Sequence, residues 1–197
     1  MLKRNGYILT LDPYSDRAVF SKNVLENIGF NVIFIKAIPN NDKILSNKIS
    51  MQYIYGLIID SPDDYSYVFE DDINVIEEIK LEEIIQYEKI SELFFYLGMC
   101  EFKNAPVSNT GMHINNHAVY SKAGTCAGLH AIGLSKNGAK TLLNYSRESN
   151  EPIMDVIVSQ FSQIHPANVV RHDLESYIVG HRGIIYQDRQ KFPSGIS

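Results

Sequence analysis

The sequence predicts an α/β sandwich with a largely parallel central sheet. Short apolar runs typical of strands alternate with segments whose apolar residues recur at helical spacing, and this alternation favours parallel strands joined by helices. Hydrophobic residues make up 45% of the 197 residues, which is enough for an ordinary globular core. Because we find no internal repeat, low-complexity tract or linker, we expect a single domain over residues 1–197.

The first half of the chain carries clear strand and helix signals. Pro13 interrupts the first strand, Ser15 suits a helix N-cap, and Gly29 suits the end of that helix. Residues 37–47 are polar and predict a loop. The predicted strands of this half are 7–11, 31–36 and 65–69, and its second helix is expected over residues 49–58.

The second half continues the alternation around a long polar stretch. Residues 100–126 are rich in Asn, Gly, Ser and His with little periodicity, and they predict a long loop that is functional or mobile. Ser135 suits the N-cap of the helix that follows it. The remaining predicted helices cover 81–90 and 153–163, and the remaining strands cover 93–97, 128–134, 168–171 and 183–187.

Charge and cysteine content limit the class of protein. The net charge is −5, so we expect no nucleic-acid partner. The two cysteines, Cys100 and Cys126, do not make a disulfide framework and fit a reducing compartment. The apolar run 7–11 is too short for a signal-peptide core or a membrane span. We therefore expect a soluble, cytoplasmic protein.

Three consecutive acids follow the apolar strand that ends at Phe69. Glu70, Asp71 and Asp72 repel one another, and ligands of open α/β sheets bind at this end of the strands. In an extended chain Glu70 and Asp72 point to one side and Asp71 to the other. This pair predicts a site for Mn²⁺ or Mg²⁺ that carries a diphosphate. A solvated acidic turn is the alternative interpretation.

The histidines give weaker signals. His113 and His117 have the spacing of a helical metal site, but their context is not helical and lacks the Glu of a zinc hydrolase. His130 lies in an apolar strand, where it is either a core residue or part of a site. His172 and His181 flank a short apolar segment near the C-terminus, and either could be a metal ligand.

Signatures of several other enzyme classes are absent from the sequence. There is no Gly-x-Gly-x-x-Gly after the first strand and no P-loop, which disfavours dinucleotide-binding folds and P-loop NTPases. There is also no Gly-x-Ser-x-Gly elbow of a serine hydrolase.

Several ordered segments together resemble the lipopolysaccharide-type glycosyltransferases of family 25. They include a Glu-Asp-Asp motif after an apolar strand and a His-Ala strand that leads into a Ser-x-x-Gly-Ala helix. One departure is that Ser50 is followed by Met51, where the family usually carries a Ser-His pair. Small virus-encoded glycosyltransferases share this compact form. The similar segments are residues 8–17, 29–38, 68–73, 95–98, 129–143 and 152–155.

The resemblance implies a GT-A fold and transfer of a sugar from a nucleotide diphosphate donor, expected to be a UDP-sugar. The resemblance does not specify the acceptor, which we expect to be a glycan or glycoprotein. It implies that Glu70, Asp72 and His181, or failing that His172, hold Mn²⁺ or Mg²⁺. Asp155 is the implied general base, with helix capping as its structural alternative, and His130 the implied contact to the donor sugar. The implied donor-binding residues are Leu11, Asp12, Arg17, Ala37, Pro39 and Asp71.

Two other functions remain open at this point. A nucleotide-sugar-binding module without transfer activity would carry the same segments. A metal-dependent phosphohydrolase also uses paired acids at a strand end, but it does not explain the ordered segments outside residues 67–73.

Overall fold

The computed structural model describes residues 3–101, 107–122, 126–175 and 180–193. Its helices are α1 Asp16–Ile28, α2 Lys43–Asp60, α3 Leu81–Glu88, α4 Lys136–Glu148 and α5 Met154–Ile164. Its strands are β1 Asn5–Thr10, β2 Asn31–Lys36, β3 Tyr65–Glu70, β4 Ile73–Val75, β5 Phe94–Glu101, β6 Val107–Ile114, β7 His117–Lys122, β8 Cys126–Ser135, β9 Ala167–Val169, β10 His181–Gly183 and β11 Ile185–Gln187.

The central sheet has the strand order β2-β1-β3-β8-β5-β9-β7-β6, and β10 pairs with β5. Strands β1, β2 and β3 are parallel neighbours, and β5 is parallel to β9. Strands β8, β10 and β7 are antiparallel to their neighbours, so they run against the direction of the other six. The predicted mostly parallel sheet is therefore confirmed. A separate two-stranded sheet joins β4 to β11.

Helices cover both faces of this sheet. On β3, Val68 points into a core shared with α2, α4 and α5, whereas Tyr67 and Phe69 point into a core shared with α1 and α3. A strand buried on both faces reads as a continuous apolar run rather than an alternating one. This is why residues 65–69 show no polar side chain except Ser66, and the two helix layers confirm the predicted α/β/α arrangement.

Local capping signals act as the sequence predicts. The Ser15 hydroxyl accepts a hydrogen bond from the Ala18 N–H at 3.3 Å and caps α1, and Ser135 caps α4 in the same way. Gly29 ends α1 with a φ of +119°, a conformation that glycine adopts without steric cost. Helix α2 begins earlier than predicted, at Lys43, because the Asp42 carboxylate accepts from two backbone N–H groups of its first turn.

The prediction of one long loop over residues 100–126 is wrong for the part that the structure describes. Strand β5 continues to Glu101, and β6 pairs with β7 in an antiparallel hairpin. Its turn is formed by Asn115 and Asn116, whose φ angles of +48° and +67° are those of a two-residue hairpin turn. Asparagine tolerates this conformation. Residues 102–106 and 123–125 lie outside the described residues.

Two further corrections concern short strands. Strand β4 follows the three acids and was not predicted, and the predicted strand 183–187 is divided between β10 and β11. A strand of three residues has too few positions to show a period of two. In the described part of the chain, no helix combines the length and apolar character that crossing a membrane requires.

Candidate functional site

The carboxyl ends of β1, β2 and β3 meet at one edge of the sheet. The register places Leu9 beside Glu70 and Thr10 beside Lys36, so the residues that follow these three strands are neighbours. This edge is where parallel α/β sheets bind ligands. It brings together the predicted residues Leu11, Asp12, Ala37, Pro39, Glu70, Asp71 and Asp72.

The three acids divide into two environments. The side-chain amide of Gln187 donates a hydrogen bond to Glu70, and its nitrogen lies 3.5 Å from Oδ1 of Asp72. Asp71 instead accepts a hydrogen bond from the Thr10 hydroxyl. Glu70 and Asp72 therefore share one partner, while Asp71 is held against the end of β1.

Arg17, in the first turn of α1, links the two aspartates. Its Nη2 atom lies 2.6 Å from Oδ1 of Asp71 and 3.2 Å from Oδ2 of Asp72. The Arg17 side chain is 28% exposed, whereas the Asp72 side chain is only 4% exposed. The predicted donor-binding role of Arg17 is untested, and its contacts here are with the acids.

The acidic cluster carries more negative charge than its cations offset. Burial, with the charges of Asp72 and Asp155, raises the pKa of Glu70 to about 8. Burial also raises the pKa of Asp72, although the Arg17 charge acts in the opposite direction. Glu70 is therefore protonated over much of the neutral pH range, as expected when like charges share a poorly solvated site.

Asp155 lies close enough to Glu70 for its charge to raise the pKa of that side chain. Its Oδ2 atom accepts a hydrogen bond of 3.0 Å from the Gly128 N–H, so it joins α5 to the first residues of β8. The N-cap position of α5 is Ile153, so capping does not account for this carboxylate. Burial raises the pKa of Asp155, while the Gly128 N–H and the charge of Arg189 act to lower it.

The residues at and after the end of β11 contact the acids, and sequence reasoning did not find Gln187, Asp188 or Arg189. Oε1 of Gln187 accepts a hydrogen bond of 3.0 Å from Arg189, and the Asp188 N–H donates to the Asp72 carbonyl at 2.7 Å. The charge of Arg189 acts to lower the pKa of Glu70, Asp72 and Asp155. The available signal was the polar Gln-Asp-Arg triplet that begins at the last residue of the predicted strand 183–187.

A group of soft metal ligands lies beside the acids. In the part of the chain that the structure describes, Cys100, His130 and His181 have ligand atoms that all lie within 4.8 Å of one another. Sγ of Cys100 is 3.3 Å from Nε2 of His181. Burial and the neighbouring His181 lower the pKa of His130 to about 3. Burial, with the charges of Asp155 and Glu70, raises the pKa of Cys100 to about 12.

The structure does not gather all predicted metal ligands at one point. Among the described residues, Glu70, Asp72 and His181 do not have ligand atoms all within 4.8 Å of one another. The alternative ligand His172 lies with its ring 5.1 Å from that of Tyr120, on β7. Sequence reasoning did not join Cys100 to the histidines, because the three residues come from β5, β8 and β10.

The predicted donor-binding residues form the rim of the site. Leu11 is 78% exposed, and Pro39 is also exposed. The Asp12 carboxylate accepts from the Tyr14 N–H at 3.0 Å in the turn before α1, and the Ala37 N–H donates to the Thr10 carbonyl. These contacts fix the backbone that follows β1 and β2. The exposed side chains of Leu11 and Pro39 therefore border the carboxyl edge of the sheet.

Comparisons with known proteins give a likeness of fold. No family model matches the sequence, and no curated protein matches it. A solved glycosyltransferase involved in the glycosylation of the major capsid of PBCV-1 matches with a TM-score of 0.52 and 11% identity, over 81% of this chain and 76% of that chain.

Two other solved structures match with lower scores. A protein from STIV gives a TM-score of 0.45 and 12% identity, over 85% of this chain and 81% of that chain. UDP-glucose pyrophosphorylase complexed with UDP-glucose gives a TM-score of 0.42 and 11% identity, over 84% of this chain and 71% of that chain. The likeness to the capsid glycosyltransferase, together with the sheet order, shows that this chain has a GT-A-like α/β/α fold.

Proposed function

We propose that this protein is a metal-dependent glycosyltransferase that transfers a sugar from a nucleoside diphosphate donor to a hydroxyl group of a glycan or glycoprotein. The expected donor is a UDP-sugar. The observation that carries the proposal is the shared environment of Glu70 and Asp72 at the carboxyl edge of a GT-A-like sheet. An anionic diphosphate needs positive charge at its binding site. The two carboxylates would supply that charge by binding a divalent metal ion.

Glu70 and Asp72 fit a divalent metal ion. Burial, together with the neighbouring carboxylates, raises the pKa of both carboxyl groups, so a bound cation would stabilise their ionised forms. Mn²⁺ and Mg²⁺ prefer carboxylate and phosphate oxygens, and a bound ion would stabilise the charge of the diphosphate leaving group. His181 remains the predicted third ligand, and it would have to approach the acids more closely to serve.

Residues on the rim would hold the nucleotide. Exposed Leu11 and Pro39 border the open edge beside Asp12 and Ala37, and they are available to a base and ribose. Arg17 stands at the first turn of α1, where a helix N-terminus favours anions. Asp71, held by Thr10 and Arg17, would orient that guanidinium toward the diphosphate.

Asp155 is the proposed general base. Its raised pKa brings it nearer to the working pH, which improves proton transfer from an acceptor hydroxyl. The Gly128 N–H fixes one carboxylate oxygen and leaves the other for the substrate. His130 is fully buried, so a contact between it and the donor sugar would require the sugar to reach the buried base of the site.

Calorimetry with UDP, in the presence and absence of Mn²⁺, tests the metal assignment. Asp72→Asn should abolish Mn²⁺-dependent binding of UDP while the protein stays folded. Asp60→Asn is the matched control, because Asp60 is an exposed aspartate at the end of α2. Unchanged affinity in Asp72→Asn would contradict the assignment.

Turnover assays separate the proposed function from the two others. Transfer or hydrolysis of a nucleotide-sugar supports the glycosyltransferase. Binding without turnover across a panel of nucleotide-sugars would favour a binding module. Release of phosphate from simple phosphoesters would favour a phosphohydrolase.

A further inference from the structure

The Cys100, His130 and His181 side chains form a compact group with no assigned role of its own. Cys100 and His181 are cross-strand partners on β5 and β10, and His130 lies on β8, the other neighbour of β5. The rings of His130 and His181 are 5.5 Å apart and nearly parallel, with an interplanar angle of 23°. Three adjacent strands thus direct one thiol and two imidazoles into the same space.

His130 is an unusual core residue. It is fully buried, and neither ring nitrogen makes a hydrogen bond of good geometry to a described residue, although the Ile185 carbonyl is near enough to act on the pKa of His130. Buried polar atoms are nearly always paired, because an unpaired one loses its hydration without replacement. A ligand that accepts a nitrogen lone pair would satisfy this side chain.

Two glycines allow neighbouring groups to pack closely against the His130 ring. A Cβ atom at Gly128 would lie 2.9 Å from both Sγ of Cys100 and Nδ1 of His130, so these two ligand atoms border the same volume. A Cβ atom at Gly98 would lie 2.8 Å from Nε2 of His130 and would collide with the Ile185 carbonyl. Any larger residue at either position would crowd the imidazole.

We propose that Cys100, His130 and His181 form a binding site for a thiophilic transition-metal ion, with Zn²⁺ as the best fit. Two ligands on a tetrahedral Zn²⁺ ion stand roughly 3.5 Å apart, given Zn–S and Zn–N bonds of about 2.3 and 2.0 Å. The observed 3.3 Å between Cys100 and His181 is close to that spacing. Three protein ligands leave a fourth position for water or another donor.

This site differs in chemistry from the acidic pair. Thiolate and imidazole select Zn²⁺, whereas carboxylates select Mg²⁺ and Mn²⁺. The proposal stands independently of the glycosyltransferase assignment, since it needs only the three side chains. If His181 also serves the acidic pair, it can ligate one ion at a time, and Zn²⁺ would then compete with Mn²⁺ for it.

Cobalt substitution in the full chain is the direct test. Titration of the chelator-treated protein with Co²⁺ should give a thiolate-to-cobalt charge-transfer band and intense visible bands of tetrahedral Co²⁺, and these bands should saturate at one thiolate-bound ion per chain. Cys100→Ser should remove the charge-transfer band and weaken Zn²⁺ binding by more than about 100-fold, since the loss of a supporting partner alone costs 10–100-fold. His181→Ala should weaken Zn²⁺ binding to a similar degree.

Matched variants make the outcome decisive. Cys126→Ser, at the chain's other cysteine, should keep the band, and so should Asp72→Asn, which separates this site from the proposed Mn²⁺ site. Absence of a thiolate band in the unmodified protein would overturn the proposal. So would a band that survives Cys100→Ser or disappears in Cys126→Ser. Circular dichroism of the metal-free variants checks their fold, and His181→Ala decides the matter if Cys100→Ser unfolds.

Discussion

Gln187 donates a hydrogen bond from its side-chain amide to the carboxylate of Glu70, across 117 positions of sequence. The amide orientation is fixed, because its oxygen accepts from Arg189 and its nitrogen must therefore face the acids. The same nitrogen lies 3.5 Å from Asp72. One neutral donor does not offset two carboxylate charges, so Glu70 ionises only at high pH unless a cation binds beside it.

The first prediction is that Glu70→Gln stabilises the metal-free protein at pH 8 but not at pH 4.5. Burial and the neighbouring acids raise the pKa of Glu70 from 4.5 to about 8 in the folded chain, so the folded state holds a proton that the unfolded state has released. Stability therefore falls as the pH rises from 4.5 to 8. Glutamine removes this loss, and since one pKa unit corresponds to about 1.4 kcal/mol we expect a gain of about 4 kcal/mol in unfolding free energy at pH 8.

Urea unfolding at the two pH values measures this effect. Glu82→Gln is the control, because Glu82 is exposed on α3. An equal gain for Glu70→Gln at both pH values would show that the effect does not arise from ionisation of Glu70.

The second prediction concerns Arg17. Arg17→Met removes the cation that contacts both Asp71 and Asp72, and we expect it to lower the unfolding free energy by about 2 kcal/mol because two partly buried carboxylates lose their partner. Saturating Mn²⁺ should restore part of this loss, since the ion would supply the missing positive charge. Denaturant unfolding with and without Mn²⁺ measures both quantities.

Lys22→Met provides the comparison within the same helix. Lys22 pairs with Glu26 at 3.6 Å, and both side chains are exposed by more than a third. Such surface pairs contribute little, so we expect a change below about 0.5 kcal/mol that Mn²⁺ does not alter. Similar losses for the two variants, or an Arg17→Met loss unaffected by Mn²⁺, would contradict the proposed ion site.

The strongly patterned part of the fold was predictable from sequence. Strands β1, β2 and β3 have six residues each, are largely apolar and are separated by capped helices, so both their existence and their shared edge follow from local signals. The grouping of the acids with the residues after β1 and β2 then follows from parallel topology. Ser15, Gly29 and Ser135 act at the positions that their side chains favour.

The rest of the site depends on long-range pairing, which a single sequence does not record. Gln187 reaches Glu70 because β11 pairs with β4, and both strands have only three residues. Cys100 meets His130 and His181 because β8 and β10 flank β5. The β6–β7 hairpin was not predicted, because its strands lack an alternation of polar and apolar residues and its turn is Asn-Asn rather than Asn-Gly.

The third prediction tests that hairpin turn. Asn116 has a φ of +67°, and a β-branched residue is strained there. We expect Asn116→Val to lower the unfolding free energy by about 1–2 kcal/mol. Asn116→Gly is the matched variant and should leave stability unchanged or slightly higher. Urea unfolding measures both, and equal stability of the two variants would argue against a left-handed conformation at this position.

The fourth prediction is that Asp155→Asn separates catalysis from binding. The asparagine oxygen can still accept from the Gly128 N–H, so the first turn of α5 keeps its link to β8. Because the amide cannot take a proton, we expect turnover of a nucleotide-sugar to fall by about 10²- to 10⁴-fold, the usual contribution of a general base. Donor affinity in the presence of Mn²⁺ should change by less than about threefold.

Steady-state assays and calorimetry on the same preparations give both numbers for Asp155→Asn. Glu148→Gln is the control, because Glu148 is an exposed acid at the end of α4 and contacts none of the site residues described above. A group that acts only in the transition state affects kcat and leaves donor binding intact when it is removed. If Asp155→Asn instead weakens donor binding as much as it slows turnover, the carboxylate binds the donor and is not the general base.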